Sequence, residues 1–219
     1  VLSGEYFGPL GAQKYREYAD DIWNSSKHLL LLINEILDLS AIEAGERLLN
    51  EIDLVFREYA GECAAMMAVE ARRNGIEFVM ALPDDLPLLH ADPLALKQVL
   101  LNLLSNAIKY TPGGGCVTLE ARANRDWFTI AVTDTGPGIP EDELEGITEP
   151  FVRLESDAYQ TQEGTGLGLP IVKKIIEEHG GTLQLQDAAP FNESAHCGAM
   201  AVIDLPVLVA AAQPHQETV

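Results

Sequence analysis

Three short motifs, strung in a fixed order between residues 96 and 169, restrict this chain more than any other feature. They are L-K-Q-V-L-L-N-L-L-S-N-A-I-K-Y-T at 96–111, D-T-G-P-G-I-P at 134–140 and G-T-G-L-G-L at 164–169. The first reads as a helix. Leu96, Val99, Leu100, Leu103, Ala107 and Ile108 recur every three or four residues and make one apolar face. Gln98, Asn102, Asn106 and Lys109 line up on another. Asparagine in a helix interior is disfavoured by roughly half a kcal/mol relative to alanine, so two of them one turn apart suggest a task for the carboxamides. An Asn oxygen can ligate a hard cation such as Mg²⁺, and a lysine one turn further on can meet a phosphate. A lone N-x-x-x-N is more often a solvated face or a cap.

The second motif follows residues 127–133, W-F-T-I-A-V-T, whose β-branched and aromatic side chains read as a strand. Asp134 then sits at a strand end, with Gly136 and Gly138 where the chain must turn sharply and let something approach the backbone. An ionised Asp is acceptor-only and suits an exocyclic amine such as adenine's. The third motif leads into P-I-V-K-K-I-I (170–176), an amphipathic helix starting near Gly168 with Pro170 tolerated in its first turn. Free N–H groups at a helix start preceded by glycines make an anion site. Taken singly, D-x-G-x-G is an ordinary turn and G-x-G-x-G is weak evidence.

In this order and spacing the motifs resemble the N, G1 and G2 boxes of the sensor histidine kinases, members of the ATPase superfamily that also holds gyrase and the heat-shock chaperone ATPases. E-P-F-V-R at 149–153 is similar to the F box placed between G1 and G2. The resemblance covers roughly residues 10–206. It implies an α+β fold: a two-layer α/β sandwich, with a mixed sheet, three helices on one face and an ATP lid, preceded by a long helix from the hairpin of a dimeric four-helix bundle. It implies Mg-ATP binding, transfer of the γ-phosphoryl to a histidine, and relay to the aspartate of a response-regulator receiver domain. Residue by residue, it implies Asn106 as the Mg²⁺ ligand with Asn102 alongside, and Lys109 and Tyr110 at phosphate or ribose. Asp134 would accept from adenine's amine, with Gly136 and Gly138 allowing close approach. Arg153 would reach the γ-phosphate, and Gly164, Thr165, Gly166 and Gly168 would cradle the phosphates. Ile139, Phe151, Leu167 and Leu169 are counted with the nucleotide-binding residues. Hydrolytic relatives put a glutamate four residues before the Mg²⁺-binding Asn to activate water. Here that position is Asn102, which is no base at neutral pH, and an imidazole acceptor needs none.

The chain of 219 residues suffices for one ordinary domain and an appendage. Its formal charge of −20 argues against non-specific nucleic-acid binding, which draws on basic patches. It does not argue against a nucleotide that arrives with its Mg²⁺, because Lys109, Arg153 and backbone N–H groups set the local potential. No apolar run is long enough to span a bilayer, so a cytoplasmic protein is expected, with membrane attachment only through segments upstream. Cys63, Cys116 and Cys197 have no metal-ligand spacing and read as reduced, incidental thiols.

Residues 1–12 read as the end of one element and a turn. From Tyr15 a heptad seam appears: Tyr15, Ile22, Leu29 and Ile36, with Tyr18, Ser25, Leu32 and Leu39, widened by Ser26, Ile33 and Ser40. A helix to about Glu43 with such a stripe needs partners, and in a homodimer two hairpins would form a four-helix bundle. H-L-L-L-L-I-N-E-I-L-D-L-S-A-I-E-A-G (28–45) resembles the second dimerisation helix and linker of sensor kinases, with Ala41 where lysine is usual. The family's acceptor-histidine box, of H-E-L-R-T-P type, is absent and is expected just upstream of Val1. The fragment is therefore expected to bind nucleotide without labelling itself. A natural protein lacking the box would be an ATP-binding pseudokinase or a dimeric signalling scaffold. His28 lies beside the seam without the flanking motif and reads as a bundle-surface residue.

The expected domains are a helical part at 1–45, a catalytic ATP-binding domain at 46–206, and a disordered tail at 207–219. Within the second come a strand near residues 52–54, a helix from about 56 to 74 with Ala60, Cys63, Ala64, Met67 and Ala71 inward, and a strand at 76–82. Met66 and Met67 read as core packing. Asp92-Pro93 caps the central helix, and P-G-G-G at 112–115 stops it. A hairpin is expected from 116–123 and 127–133. The polar run 156–163 suits a lid over nucleotide. A helix to His179 and strands at 182–187 and 198–205, around a loop at 188–197, complete the chain. His179 and His196 read as a helix-end and a loop residue.

Overall fold

The computed structural model describes residues 13–44, 48–144, 146–153, 164–188 and 198–207, and the chain divides into two compact units between residues 47 and 48. The expectations for residues 1–12, the polar run 156–163, the loop at 189–197 with His196 and Cys197, and the tail from 208 onward lie outside the described residues, as does the side chain of His28.

The first unit holds one long helix, α1 (Gln13–Glu43). One row of its heptad positions is exposed, Tyr15, Ile22 and Leu29 each about 60% and Ile36 44%, whereas in the other row Leu32 is half-buried and Leu39 is buried. Trp23, Leu30 and Leu37 form a further exposed row beside them. Among the described residues no helix is long and apolar enough to cross a membrane.

The second unit starts with a short strand, β1 (Ile52–Leu54), paired antiparallel with β3 (Leu89–Ala91). No strand was expected at β3. Leu89 and Ala91 bury completely there, while His90 between them turns outward and meets Asp53 Oδ1 through Nδ1 at 2.8 Å. Between these strands lies α2 (Phe56–Arg73), burying Phe56, Ala60, Cys63, Ala64, Met67 and Ala71. The methionine pair divides, because consecutive residues on a helix point about 100° apart. Met67 is core, whereas Met66 is 46% exposed and does not join it.

The strand expected at 76–82 is shorter, β2 (Glu77–Ala81). At its start the Ile76 N–H donates to Ala71 O and the Gly75 N–H to Arg72 O, with Gly75 at φ +69, so both residues finish α2 in a Schellman motif. At its end Leu82 O accepts from Arg57 Nη2 at 2.7 Å, which takes that carbonyl out of the ladder.

The central helix α3 (Pro93–Tyr110) begins as expected: Asp92 Oδ1 accepts the N–H groups of Leu94 and Ala95 at 2.9 and 3.0 Å. It buries Ala95, Leu96, Val99, Leu100, Leu103, Leu104, Ala107 and Ile108. Each of the larger ones contributes roughly 1.5–3 kcal/mol of burial. The hairpin β4 (Cys116–Ala123) and β5 (Trp127–Asp134) turns on Asn124, whose Oδ1 accepts the N–H groups of Asp126 and Trp127. A 3₁₀ turn (Gly146–Thr148) breaks the long loop that follows. Then come α4 (Gly168–Glu178), β6 (Thr182–Asp187) and β7 (Ala199–Pro206). Ala188 and Val207, counted with loop and tail, are both tied down: their N–H groups donate to Gly198 O and Asp126 O.

The sheet runs β2-β4-β5-β7-β6, parallel between β2 and β4 and antiparallel elsewhere. Its inward side chains, among them Val117, Leu119, Phe128, Ile130, Ile203 and Leu205, bury beneath α2, α3 and α4. Phe56 meets Phe128 edge to face at 5.2 Å and joins helix layer to sheet. The result is a two-layer α/β sandwich, as the motifs implied.

Candidate functional site

Helices α3 and α4 pack side by side and antiparallel. At one end they are pinned. The Asp92 N–H donates to His179 Nε2 at 3.1 Å, and His179 Nδ1 donates to Ile175 O at 2.7 Å, which defines a neutral ring with its proton on Nδ1. His179 is thus more than a helix-end residue: it is buried and joins the end of α4 to the start of α3.

The other end is open, and glycines shape it. The bare Cα of Gly168 faces the polar stripe of α3, where an added Cβ would stand 3.8 Å from Asn106 Nδ2 and 3.9 Å from Asn102 Cγ. Four residues earlier, a Cβ on Gly164 would stand 2.7 Å from Lys109 Nζ. Leu167, at the N-cap of α4, makes no side-chain cap hydrogen bond, and with Pro170 lacking an N–H the first turn leaves the N–H groups of Gly168 and Leu169 without an intrahelical acceptor. Thr165 Oγ1 accepts the Leu167 N–H at 3.2 Å. Leu167 itself is wholly buried and belongs to the core, while Leu169 is half-buried.

Gly166 has φ +74, and a Cβ there would press on the Phe151 backbone at 2.9–3.0 Å. The Phe151 N–H donates to Gly166 O at 3.0 Å, so the 149–153 segment and the third motif are latched together. Phe151 has φ +66, uncommon for a bulky residue, and its ring is exposed. Arg153 is exposed two residues further on.

The second motif closes the site from the sheet side. A Cβ on Gly136 would stand 2.8 Å from Tyr110 O, so the loop after β5 fits under the end of α3 only as glycine. Gly138 is buried at φ +75, and Ile139 beside it is half-buried. Asp134 is buried, and its Oδ1 accepts two main-chain donors, Gly136 N–H at 2.7 Å and Ala199 N–H at 3.2 Å. Burial pushes this carboxyl above its ordinary value, and the two N–H donors oppose the shift.

Asn102, Asn106, Lys109, Tyr110, Asp134, Gly136, Phe151, Gly164, Gly166 and Gly168 are therefore linked by direct neighbours into one region. Gly198 and Ala199 join it without having been singled out. A Cβ on Gly198 would collide with Asp134 O, so only glycine lets β7 start close enough for the Ala199 N–H to reach the carboxylate. A glycine opening a last strand was the one available signal.

Among the described residues no group of three or more His, Cys, Asp or Glu could hold a metal ion. A hard cation here would rest on carboxamide oxygen and on oxygens brought by its ligand. A glycine cradle beside an ammonium, an uncapped helix start and a buried acceptor carboxylate together fit a magnesium nucleotide.

Residues 91–208 match the family model described as histidine kinase-, DNA gyrase B-, and HSP90-like ATPase. The chain is 37% identical over 210 residues to the histidine protein kinase DivJ of Caulobacter vibrioides, covering 96% of this chain and 34% of that protein. Among solved structures it is similar to full-length ShkA in complex with AMPPNP, with a TM-score of 0.78, 30% identity, and coverage of 94% of this chain and 42% of that one. It is also similar to histidine kinase ThkA in complex with the response regulator protein TrrA, with a TM-score of 0.67, 26% identity, and coverage of 90% and 52%. The chain spans 22% and 36% of the first two curated relatives it matches. With the glycine cradle lying inside the matched residues of the sandwich, the chain belongs to the histidine kinase-, gyrase B- and HSP90-like ATPases, its second unit being a catalytic ATPase domain of the sensor histidine kinase kind.

Proposed function

We propose that the open end of α3 and α4 binds Mg-ATP for transfer of its γ-phosphoryl to a histidine on a dimerisation helix, with onward relay to a response-regulator aspartate. The supporting observation is the pair of bare Cα atoms at Gly164 and Gly168, set against Lys109 and Asn106. When bound, the magnesium nucleotide supplies the phosphoryl group and part of the charge neutralisation. The chain supplies positioning and electrostatics, which dominate such transfers.

Asn106 would hold Mg²⁺ through its carboxamide, with Asn102 beside it. Lys109 and Tyr110 would stand at phosphate or ribose. Asp134 would accept adenine's amine, Gly136, Gly138 and Ile139 would admit the base, and Arg153 would reach the γ-phosphate from the Phe151 segment. Gly164, Thr165, Gly166, Gly168 and Leu169 would line the phosphates with main chain, Leu167 serving from the core. With Asn102 in place of a carboxylate base, water is left unassisted and the phosphoryl goes to an imidazole.

Two partners follow. The exposed heptad row of α1 supports a homodimer through a helical hairpin. The ThkA–TrrA complex supports a response-regulator receiver domain as the second.

The test joins this chain to the histidine-bearing hairpin of a relative and incubates it with Mg²⁺ and radiolabelled ATP. Acid-labile, base-stable label on the histidine is expected, and loss of that label in Asn106→Asp. Nucleotide binding with no label in the joined protein would instead support a scaffold that binds ATP without passing phosphate on.

A further inference from the structure

Strand β2 stands at one edge of the five-stranded sheet and pairs with β4 alone. The Glu77 N–H donates to Gly115 O at 2.9 Å, which fixes the phase of the ladder: Glu77, Val79 and Ala81 direct their main-chain groups at β4, and the residues between them direct theirs at the open side. At both ends the chain closes that side itself. The Ile76 N–H donates to Ala71 O, and Leu82 O accepts from Arg57 Nη2. Between these closures the N–H and C=O groups of Phe78 and Met80 face away from β4 and have no partner among the described residues. The strand also carries no lysine, proline or bulge to protect its edge, and its single charge is on Glu77 at its start.

One flank of α2 borders this open side. Arg57, Gly61, Ala64, Ala68 and Arg72 follow one another at three- and four-residue intervals and share a face of the helix. The reach of Arg57 to Leu82 O places that face over the edge. An added Cβ at Gly61 would meet nothing within 4 Å. From the strand, Phe78 and Met80 pair with the buried Val117 and Leu119 and turn their side chains to the helix layer, where Met80 is 38% exposed. Edge and flank therefore enclose a trough whose helix side is small residues. Because α2 turns straight into β2 at Gly75, the exposed Arg72 stands at the end of the trough beside the start of the strand. A second copy does not fit there. Strands pair about 4.8 Å apart, whereas packed helices need about 8–10 Å between axes, so two copies joined edge to edge would drive their α2 helices together. A lone extended segment brings no helix with it.

We propose that the β2 edge binds an extended segment of a partner protein, added antiparallel as a further strand, with bulky apolar side chains at alternate positions under the α2 flank and a carboxylate at its C-terminal end against Arg72. Main-chain bonds to Phe78 and Met80 supply affinity, and the trough selects the alternate side chains. Antiparallel pairing is the more stable arrangement. It sets two residues of the segment opposite Met80 and Phe78 in hydrogen-bonded pairs, so the next residue on the trough side comes level with Ile76 and the end of α2. Charge complementarity with Arg72 makes that residue acidic.

The probe is the peptide acetyl-Ser-Leu-Thr-Leu-Thr-Glu-amide, titrated to millimolar concentration into the whole protein while backbone amide shifts and hydrogen exchange are recorded. Saturable shifts are expected over residues 76–82 and along the α2 flank, with slowed exchange at the Phe78 and Met80 amides. The leucines face β2 with their main-chain groups, so N-methylation of either leucine should abolish binding and N-methylation of either threonine should not; this register test leaves the protein untouched. Arg72→Glu should weaken binding about tenfold, and replacing the peptide's glutamate by lysine should restore it. Met80→Pro removes an N–H that faces the open side, where an edge strand tolerates proline, and should prevent binding while the remaining amide spectrum persists. Absence of saturable shifts on β2, or equal effects of methylating leucine and threonine, would overturn the proposal. Slowed exchange at Phe78 and Met80 that rises with protein concentration in the absence of peptide would overturn it in favour of a second copy.

Discussion

The Ala199 N–H, 65 residues away along the chain, donates to Asp134 Oδ1 at 3.2 Å. The same oxygen takes the Gly136 N–H at 2.7 Å, so two strands and a turn orient one carboxylate. With Oδ1 held this way, Oδ2 is the oxygen that takes neither of these donors.

Asp134→Asn tests that orientation. The amide oxygen can keep both main-chain donors, which leaves the NH₂ group where an acceptor stood, facing adenine's own amine. Affinity for an ATP analogue should fall by about 1.5–3 kcal/mol, the worth of a hydrogen bond to a charged group. The fold should hold, because a buried charge has been removed. Calorimetric titration and thermal denaturation together read both effects; unchanged affinity would refute the assignment of Asp134.

Asp134 also fixes a pH dependence. Burial raises its folded-state value above the ordinary 3.8. Between the two values the folded state binds more protons than the unfolded state, so the stability this group contributes is present at low pH and is lost as pH rises through that window. Nucleotide affinity runs the other way, because the acceptor must be ionised, and it should decline on acidification while ordinary carboxylates are still charged. Titrations across mildly acidic pH should show the decline in wild type and a flat profile in Asp134→Asn.

Gly166→Ala and Gly61→Ala should have opposite signs. At Gly166, φ +74 and the Phe151 backbone leave no place for a methyl group, and the left-handed conformation alone costs roughly 1–2 kcal/mol. Stability and nucleotide affinity should both drop. At Gly61, inside α2, nothing lies within 4 Å of an added Cβ, and alanine should stabilise by about 0.5–1 kcal/mol. Urea denaturation of both variants provides the comparison.

His179→Ala should destabilise the domain by about 1–3 kcal/mol, because it removes the imidazole that accepts the Asp92 N–H at the pinned end of the helix pair. Hydrogen exchange at the Asp92 amide should accelerate with it. An unchanged exchange rate would mean that the imidazole is not the acceptor.

The α3 face was legible in the sequence because helix period and burial coincide: every residue from Leu96 to Ile108 assigned to the apolar face is buried. The sandwich followed from the order of the motifs, which no local propensity encodes. What escaped has particular causes. β3 is three residues long, too short for a periodic signal, and is set by its pairing with β1. Gly198 matters only through its closeness to Asp134 O, a relation between distant residues. Met66 and Met67 look alike in sequence, and only the helix phase separates them. His179 offered no motif, and its partner Asp92 lies 87 residues away.

The central claim is that Asn106, Lys109, Asp134 and the glycines of the second and third motifs share one nucleotide pocket. Backbone amide chemical shifts recorded while Mg²⁺ and a non-hydrolysable ATP analogue are titrated into the protein test it most directly. The expected result is saturable shifts confined to residues 102–111, 134–139, 151–153, 164–169 and 198–199. Shifts clustered on α2 or on the strands remote from α3, with the amides of Asn106, Gly136 and Gly166 unmoved, would contradict it.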